Sequence, residues 1–334
     1  MEWKTRITNL LGCKYPIMEG GLSGIGTWEL AAAISEAGAV GCITAAVYKT
    51  PDGLRDAINK TRQATKNPFA VNITIGMCPH IDEMFDVCFE ENVHVETAVF
   101  KPDAYAERIK KSGVPWIHKG ATVDFCRHAE DLGADAVVLV GLDGYGFKHI
   151  RQLPTFTSIA WASKQLKIPL LAAGGIADGR TFLGALALGA DGIYMGTAFE
   201  VTKECRLNEK TKQNIVAAPP DHPDLIYELL APPDAEEYMA VKAAKDTMPF
   251  ERWIPAMEAV HLKHSGWRDI APMWEMAERL TDTDMTQLGG ARIKGPYSFA
   301  CAYIDDIPTC KELVERIVTE AEELLDSWQF LKTR

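Results

Sequence analysis

Long hydrophobic runs are missing from this sequence. No apolar stretch among the 334 residues reaches the roughly 18–20 residues that cross a bilayer. The N-terminal "MEWKTRITNL" has no hydrophobic leader core. No membrane span and no secretory signal are therefore expected. Positive charge is also scarce: 35 Lys and Arg stand against 46 Asp and Glu, a net charge of −11. That balance argues against nucleic acid as a main partner and for solubility. The eight cysteines (13, 42, 78, 88, 126, 205, 301, 310) form no C-x-x-C pair and no cluster with histidine. A disulfide framework and a metal site are both unexpected, and reduced thiols in a cytoplasmic protein are the reading. The dinucleotide-binding G-x-G-x-x-G fingerprint is absent as well, because "GGLSGIG" (20–26) has the wrong spacing.

What is present is a regular alternation. Short β-branched runs are expected as strands at 15–21, 40–45, 69–76, 93–100, 114–120, 135–142, 168–175 and 191–197. Amphipathic stretches between them predict helices at 28–39, 50–65, 80–92, 102–112, 122–132, 155–167, 178–189 and 198–204. Thr27 and Thr50 read as N-caps, with Pro51 at the first helical position and Gly38 as a stop. Strands this apolar imply a parallel sheet covered by helices. Eight such units closing on themselves make an α/β protein, a (β/α)8 TIM barrel, rather than an open doubly wound sheet.

Composition changes after residue 206. Proline-rich breaks occur at 217–224 and 229–237, with helices expected at 235–246, 250–262 and 269–280 and a loop-like segment at 281–306. A long amphipathic helix is expected at 309–330. The expected division is a barrel over 1–206, a helical subdomain and loop over 207–308, and a C-terminal helix over 309–334 that packs back on the barrel.

In such a barrel, chemistry sits at the C-terminal strand ends. "AAGGIADGR" (172–180) and "MGTAF" (195–199) put bare backbone N–H groups beside helix starts at the last two strands. That is the arrangement that cradles a phosphate, with a hydroxyl available from Thr197. "LVGLDGYGFKHI" (139–150) is too polar and too glycine-rich for core and reads as a site loop.

The motifs "YPIMEGG", "FAVNITI", "IHKGATV", "LLAAGGIADGRTFLGALALGADGIYMGTAF" and the "EC" at 204–205 resemble the nitronate monooxygenase family, also called the 2-nitropropane dioxygenase family, in order and spacing across 4–206. "TDTD" (281–284) and the closing helix resemble its NAD(P)H:quinone-reductase-like members. FMN-dependent enoyl reductases share parts of the same motifs. The resemblance implies a barrel that binds FMN without a covalent link. By the family's pattern, Gly174, Gly175, Gly196 and Thr197 hold the phosphate. Asn72 lies near the isoalloxazine, Lys119 near its polar edge, and Gly20 and Gly21 form the first-strand pair. Asp143, Gly146 and Ala173 complete the expected cofactor shell. A lysine at that edge stabilises a reduced, anionic flavin. Glu19 stands where glutamine is usual, which places a negative charge near the ring unless its side chain points away.

One position departs from the family. The loop after strand 6 carries a proposed catalytic histidine in the family, and here that position is Phe147. Phenylalanine accepts no proton, so abstraction from a neutral nitroalkane is disfavoured, whereas an already anionic nitronate needs no base. Tyr145 and His149 are the candidate catalytic residues in its place, with Phe147 shaping an apolar substrate pocket. Tyr297 and Phe299 are candidates to join that pocket. A phenol beside the flavin suits reduction of a double bond conjugated to a carbonyl: a hydride goes to the β-carbon and the phenol protonates the α-carbon. The expected activity is therefore NAD(P)H-dependent reduction of an enone, an enoyl thioester or a quinone, with NADH or NADPH as co-substrate. Nitronate oxidation by O₂ is the alternative, and a non-catalytic flavin or phosphometabolite binder the third. The expected partner is a small molecule, a CoA thioester among the candidates, with Lys203 and Arg206 placed to meet CoA phosphates. A homo-oligomer is compatible with the acidic helical region.

Overall fold

The computed structural model of the protein describes residues 1–99, 101–146, 148, 149, 151–230, 235–244, 247–249, 252, 253, 256 and 297–328. Each expected strand forms, trimmed at its glycine or polar end: β1 Ile17–Glu19, β2 Gly41–Thr44, β3 Phe69–Thr74, β4 His94–Ala98, β5 Trp116–Gly120, β6 Ala136–Val140, β7 Leu170–Ala173 and β8 Gly192–Met195. All pair in parallel, in the order β1-β8-β7-β6-β5-β4-β3-β2. The two end strands meet through a parallel bridge between Met18 and Val40, so the sheet closes into a (β/α)8 barrel.

That closing seam is short, and a side chain extends it. Val40 N donates to Ile17 O at 2.9 Å and Glu19 N to Val40 O at 2.8 Å. The next ladder bond is replaced: Cys42 N donates to the Glu19 carboxylate at 2.6 Å. Successive strand residues face opposite sides of a sheet. Met18, Cys42, Ala70, Ile117, Val138, Leu171 and Tyr194 form the interior cluster, which a short helix, α1 (Arg6–Leu11), joins through Ile7 and Leu11. The alternate residues Ile17, Ile43, Val71, Val95, Val137 and Leu139 pack outward into the larger cluster.

The outer helices are α2 (Trp28–Glu36), α3 (Pro51–Ala64), α4 (Ile81–Glu90), α5 (Asp103–Ser112), α6 (Val123–Leu132), α7 (Thr155–Ala162) and α8 (Gly179–Ala187). Their starts follow local chemistry. Thr50 accepts from Gly53 N with Pro51 at the first position, Thr122 accepts from Phe125 N, and Asp178 forms a capping box with Thr181. Thr27 occupies the N-cap position without a side-chain hydrogen bond.

The helix expected at 198–204 is a single turn, α9 (Thr197–Glu200). Two described helices were not expected, α1 and α10 (Glu209–Val216), whereas α11 (Pro223–Leu230) falls between the two proline-rich breaks, where a helical stretch was expected. Pro223 starts a helix instead of breaking one, because the first helical position needs no N–H. The expected helix at 235–246 forms as α12 (Ala235–Ala243). Most of the helix expected at 250–262, all of that at 269–280 and most of the loop at 281–306 fall outside the described residues. The last helix, α13 (Cys310–Ser327), carries a capping box between Thr309 and Glu312 and packs on α8 and α2. The approach to α8 is close. A Cβ on Gly179 would sit 2.5 Å from Glu320 Cβ, and Gly179 N donates to the Glu320 carboxylate at 2.9 Å.

Candidate active site

The C-terminal strand ends enclose a cavity of about 220 Å³. Its wall includes Gly20 and Gly21 after β1, Thr74 of β3, Ala98 of β4, Lys119 of β5, Gly144–Gly146 after β6, Ala173 at the end of β7 with Gly174 and Gly175, Met195 at the end of β8 with Gly196 and Thr197, and Glu200, Ser298 and Ala300. Ten of the thirteen residues picked out as cofactor or catalytic candidates therefore come together: Gly20, Gly21, Lys119, Tyr145, Gly146, Ala173, Gly174, Gly175, Gly196 and Thr197.

Glycine is required where the loops meet. Gly174 (φ +106°) and Gly175 (φ +70°) hold left-handed conformations, and a Cβ on Gly174 would lie 2.9 Å from Gly144 N. The loops after β6 and β7 thus touch backbone to backbone, with no room for a side chain at Gly174. Across the cavity, Gly21 N donates to Tyr194 Oη at 2.7 Å. A Cβ on Gly21 would sit 2.5 Å from the Asn72 side-chain amide.

Four side chains give the cavity its character. Lys119 lines it with no ion-pair partner among the described residues, its Nζ 5.3 Å from the centre of the Tyr194 ring. Tyr145, half-buried, lies on the β6 loop. Thr197 Oγ1 accepts from Ser298 N at 3.1 Å, and the two hydroxyls are 3.1 Å apart, which ties the β8 loop to the segment before α13. Glu200 is buried with Oε2 unpaired, and burial pushes its carboxyl up to about 8.

The remaining candidates take supporting places. Asn72 lies beneath the lining rather than in it: its amide donates to Glu96 and accepts from Thr74 Oγ1 at 2.9 Å. Asp143 accepts from Thr155 N at 2.6 Å and so caps α7. His149 is not among the lining residues. Its Nδ1 accepts from Arg151 N at 3.1 Å and its ring packs edge-on against Phe125. Burial, with Lys242 and Arg151 adding, pushes it down to about 4. Phe147 lies outside the described residues. Of the pocket aromatics, Tyr297 is buried away from the lining, while its neighbour Ser298 contributes. Lys203 pairs with Glu312 at 3.6 Å, and Arg206 Nε donates to Gly24 O at 2.9 Å. Glu19 points away from the cavity, into the β1–β2 seam. His118 likewise points outward, its Nδ1 2.8 Å from Thr97 Oγ1.

Sequence reasoning placed Glu96 at a strand end without a role and passed over Lys148, Tyr194, Glu200 and Ser298. Lys148 is buried and donates to Leu142 O at 2.7 Å and to Gly144 O, so an ammonium organises the loop that carries Tyr145. The available signal was a charged residue inside an apolar run, as in "HVETAVF" (94–100) and "MGTAFEV" (195–201).

A flavin fits these residues: glycine-lined loops with the hydroxyls of Thr197 and Ser298 at one end, the Lys119 cation at another, and the buried carboxyl of Glu200, whose Oε2 has no partner among the described residues. The class this defines is an oxidoreductase barrel with a flavin-type mouth. Residues 4–100 and 80–226 match the model of the nitronate monooxygenase family, and the chain belongs to that family, whose members are flavin enzymes. It is 27% identical, over 97% of each chain, to the (3aS,4S,5R,7aS)-5-hydroxy-7a-methyl-1-oxo-octahydro-1H-indene-4-carboxyl-CoA dehydrogenase of Rhodococcus jostii strain RHA1. It is 29% identical to a probable nitronate monooxygenase of Staphylococcus aureus strain JH9, over 64% of this chain and 72% of that one. The structure of FabK from Thermotoga maritima superposes with a TM-score of 0.75 at 31% identity, covering 98% of this chain and 99% of that one. The protein is an oxidoreductase.

Proposed function

We propose that the protein is an FMN-dependent oxidoreductase that uses NADH or NADPH to reduce a double bond conjugated to a carbonyl, with a CoA thioester as the favoured substrate class. The observation that carries this reading is the placement of Tyr145. It lines the same cavity as Lys119 and the glycine cradle, and no histidine lines that cavity among the described residues. The site thus offers a phenolic proton donor rather than an imidazole base. FMN held by these residues would supply hydride transfer between a reduced nicotinamide and the substrate's β-carbon. Tyr145 delivers a proton to the α-carbon, so two electrons and two hydrogens are added across the bond. Lys119 supplies positive charge to the edge where negative charge accumulates. Gly175, Gly196, Thr197 and Ser298 hold the phosphoryl end. The choice of a thioester over a simple enone or quinone is supported by the Rhodococcus relative, a dehydrogenase of a carboxyl-CoA compound that aligns over 97% of both chains.

A second reading, oxidation of alkyl nitronates by O₂, is favoured by one observation: the Lys119 ammonium lines the cavity, where it is suited to hold an anion. Anaerobic mixing of the FMN-loaded protein with NADH, NADPH and, separately, ethyl nitronate separates the two. Bleaching of the flavin's visible absorbance by a nicotinamide, with recovery on adding an enoyl-CoA, is the expected result. Bleaching by nitronate alone would replace the first reading with the second.

A further inference from the structure

Glu96 belongs to none of the expected roles, yet several polar groups beneath the cavity converge on it. It lies on β4 beside Asn72 of β3, with which it is in register, and it is fully buried. One carboxylate oxygen accepts from the Asn72 amide. The Tyr194 phenol also hydrogen-bonds to it. Since Gly21 N donates to that phenol oxygen at 2.7 Å, the phenol's own proton is free to point at Glu96. The other carboxylate oxygen, Oε1, has no partner among the described residues. Burial raises this carboxyl, and the cation that opposes the effect is Lys119, which lies on the adjacent strand β5 just beyond Ile117, the register partner of Glu96, with its Nζ 5.3 Å from the centre of the Tyr194 ring. Glu19, the other buried glutamate nearby, is turned into the seam.

We propose that Glu96 is a positioning residue: it is the buried counter-charge to Lys119, and it fixes the hydrogen-bond directions of Asn72 and Tyr194 under the cavity floor. A buried carboxylate without a cation is costly, and so is a buried ammonium without an anion. As opposite charges on neighbouring strands, they would present a nearly neutral surface to a bound ring, with Lys119 uppermost and Glu96 below. The floor is then less electropositive than Lys119 alone would make it. Asn72 is held from both ends, by Glu96 and by Thr74, and it supports Gly21, which has no room for a side chain above it.

This inference rests on the flavin reading, and the test separates the two. The protein is loaded with FMN and titrated with sulfite, which adds to oxidised flavin more tightly as the surroundings become more positive. Glu96→Gln removes the counter-charge and keeps the shape. It is expected to tighten sulfite binding about tenfold, equivalent to about 30 mV for a two-electron couple. Glu96→Leu is a second neutral variant should Gln not fold. In a Lys119→Met background the carboxyl loses its cation and keeps its proton, so the same change at Glu96 is expected to leave sulfite binding unaltered. Unchanged sulfite affinity in the neutral variants, or an equal shift with and without Lys119, would overturn the proposal. Failure of the unaltered protein to take up FMN would instead overturn the flavin reading.

Discussion

Replacing Glu200 with glutamine is expected to make the ligand-free protein more stable, by an amount that grows with pH. Glu200 is 7% exposed, and desolvation is what raises its carboxyl from 4.5 to about 8. Between those values the folded chain keeps a proton that the unfolded chain releases. The folded form therefore binds more protons, and stability falls as pH rises. The carboxyl's contribution is fully present below the unfolded value and is lost as pH climbs through the folded one. At about 1.4 kcal/mol per pH unit for one proton, roughly 2 kcal/mol is lost between about pH 6 and pH 8. Glutamine carries no such proton. The melting temperature of Glu200→Gln relative to the unaltered protein should thus rise by on the order of 5 °C over that interval. Differential scanning fluorimetry on both proteins at matched ionic strength reads this directly, and titrations common to both cancel in the difference. Parallel pH profiles would show that Glu200 is already ionised in the fold, and the desolvation argument would fail.

Other consequences are open to simple assays. Tyr145→Phe should lower steady-state turnover of an enoyl-CoA by about 10²-fold or more with flavin content unchanged, whereas His149→Ala, away from the lining, should leave turnover at the wild-type level. Gly174→Ala puts a methyl group 2.9 Å from Gly144 N at a left-handed position; fluorescence of the filtrate after desalting should show FMN lost from this variant and retained by the unaltered protein. Glu19→Ala strands the buried Cys42 N–H and should lower unfolding free energy by roughly 1–3 kcal/mol in urea, while Glu19→Gln keeps an acceptor and costs little. All eight cysteines are buried, and burial raises the thiols of Cys13, Cys78, Cys126 and Cys205 to about 12; a thiol-reactive chromogen should label the native protein only in trace and the denatured protein completely.

The barrel was legible because its signals are local. Each β-branched run carries its own strand propensity, and Thr50 with Pro51 marks a helix start by chemistry confined to four residues. The glycine cradle was legible for the same reason, since Gly174 and Gly175 announce a backbone turn at a strand end. What stayed hidden depends on how strands are rotated and staggered. Asp143 looks like a cofactor ligand in a glycine-rich loop, but the fold brings Thr155 N within 2.6 Å of it, and it becomes a cap. Ser298 lies 101 residues from Thr197 along the chain, and no spacing rule links them. Helix α1 carried a readable signature, Thr5 as N-cap and Gly12 as a left-handed C-cap, yet at six residues it falls below the length at which hydrophobic periodicity is informative.

The two buried glutamates show why strand parity decides chemistry here. Glu19 sits one residue beyond Met18, which faces the interior, so its side chain leaves the barrel and stitches β1 to β2. Glu96 pairs in register with Asn72, and both face inward beneath the cavity with Lys119 and Tyr194. A shift of one residue would exchange these roles, because side chains alternate with a period of two. A negative charge at Glu19 therefore has little access to a bound ring, and the electrostatic question raised by its replacement of glutamine passes to Glu96. There the answer depends on several groups rather than on a single charge: burial raises the Glu96 carboxyl, Lys119 and the hydrogen bonds from Asn72 and Tyr194 oppose that rise, and an ionised Glu96 would temper the field that Lys119 sends into the cavity.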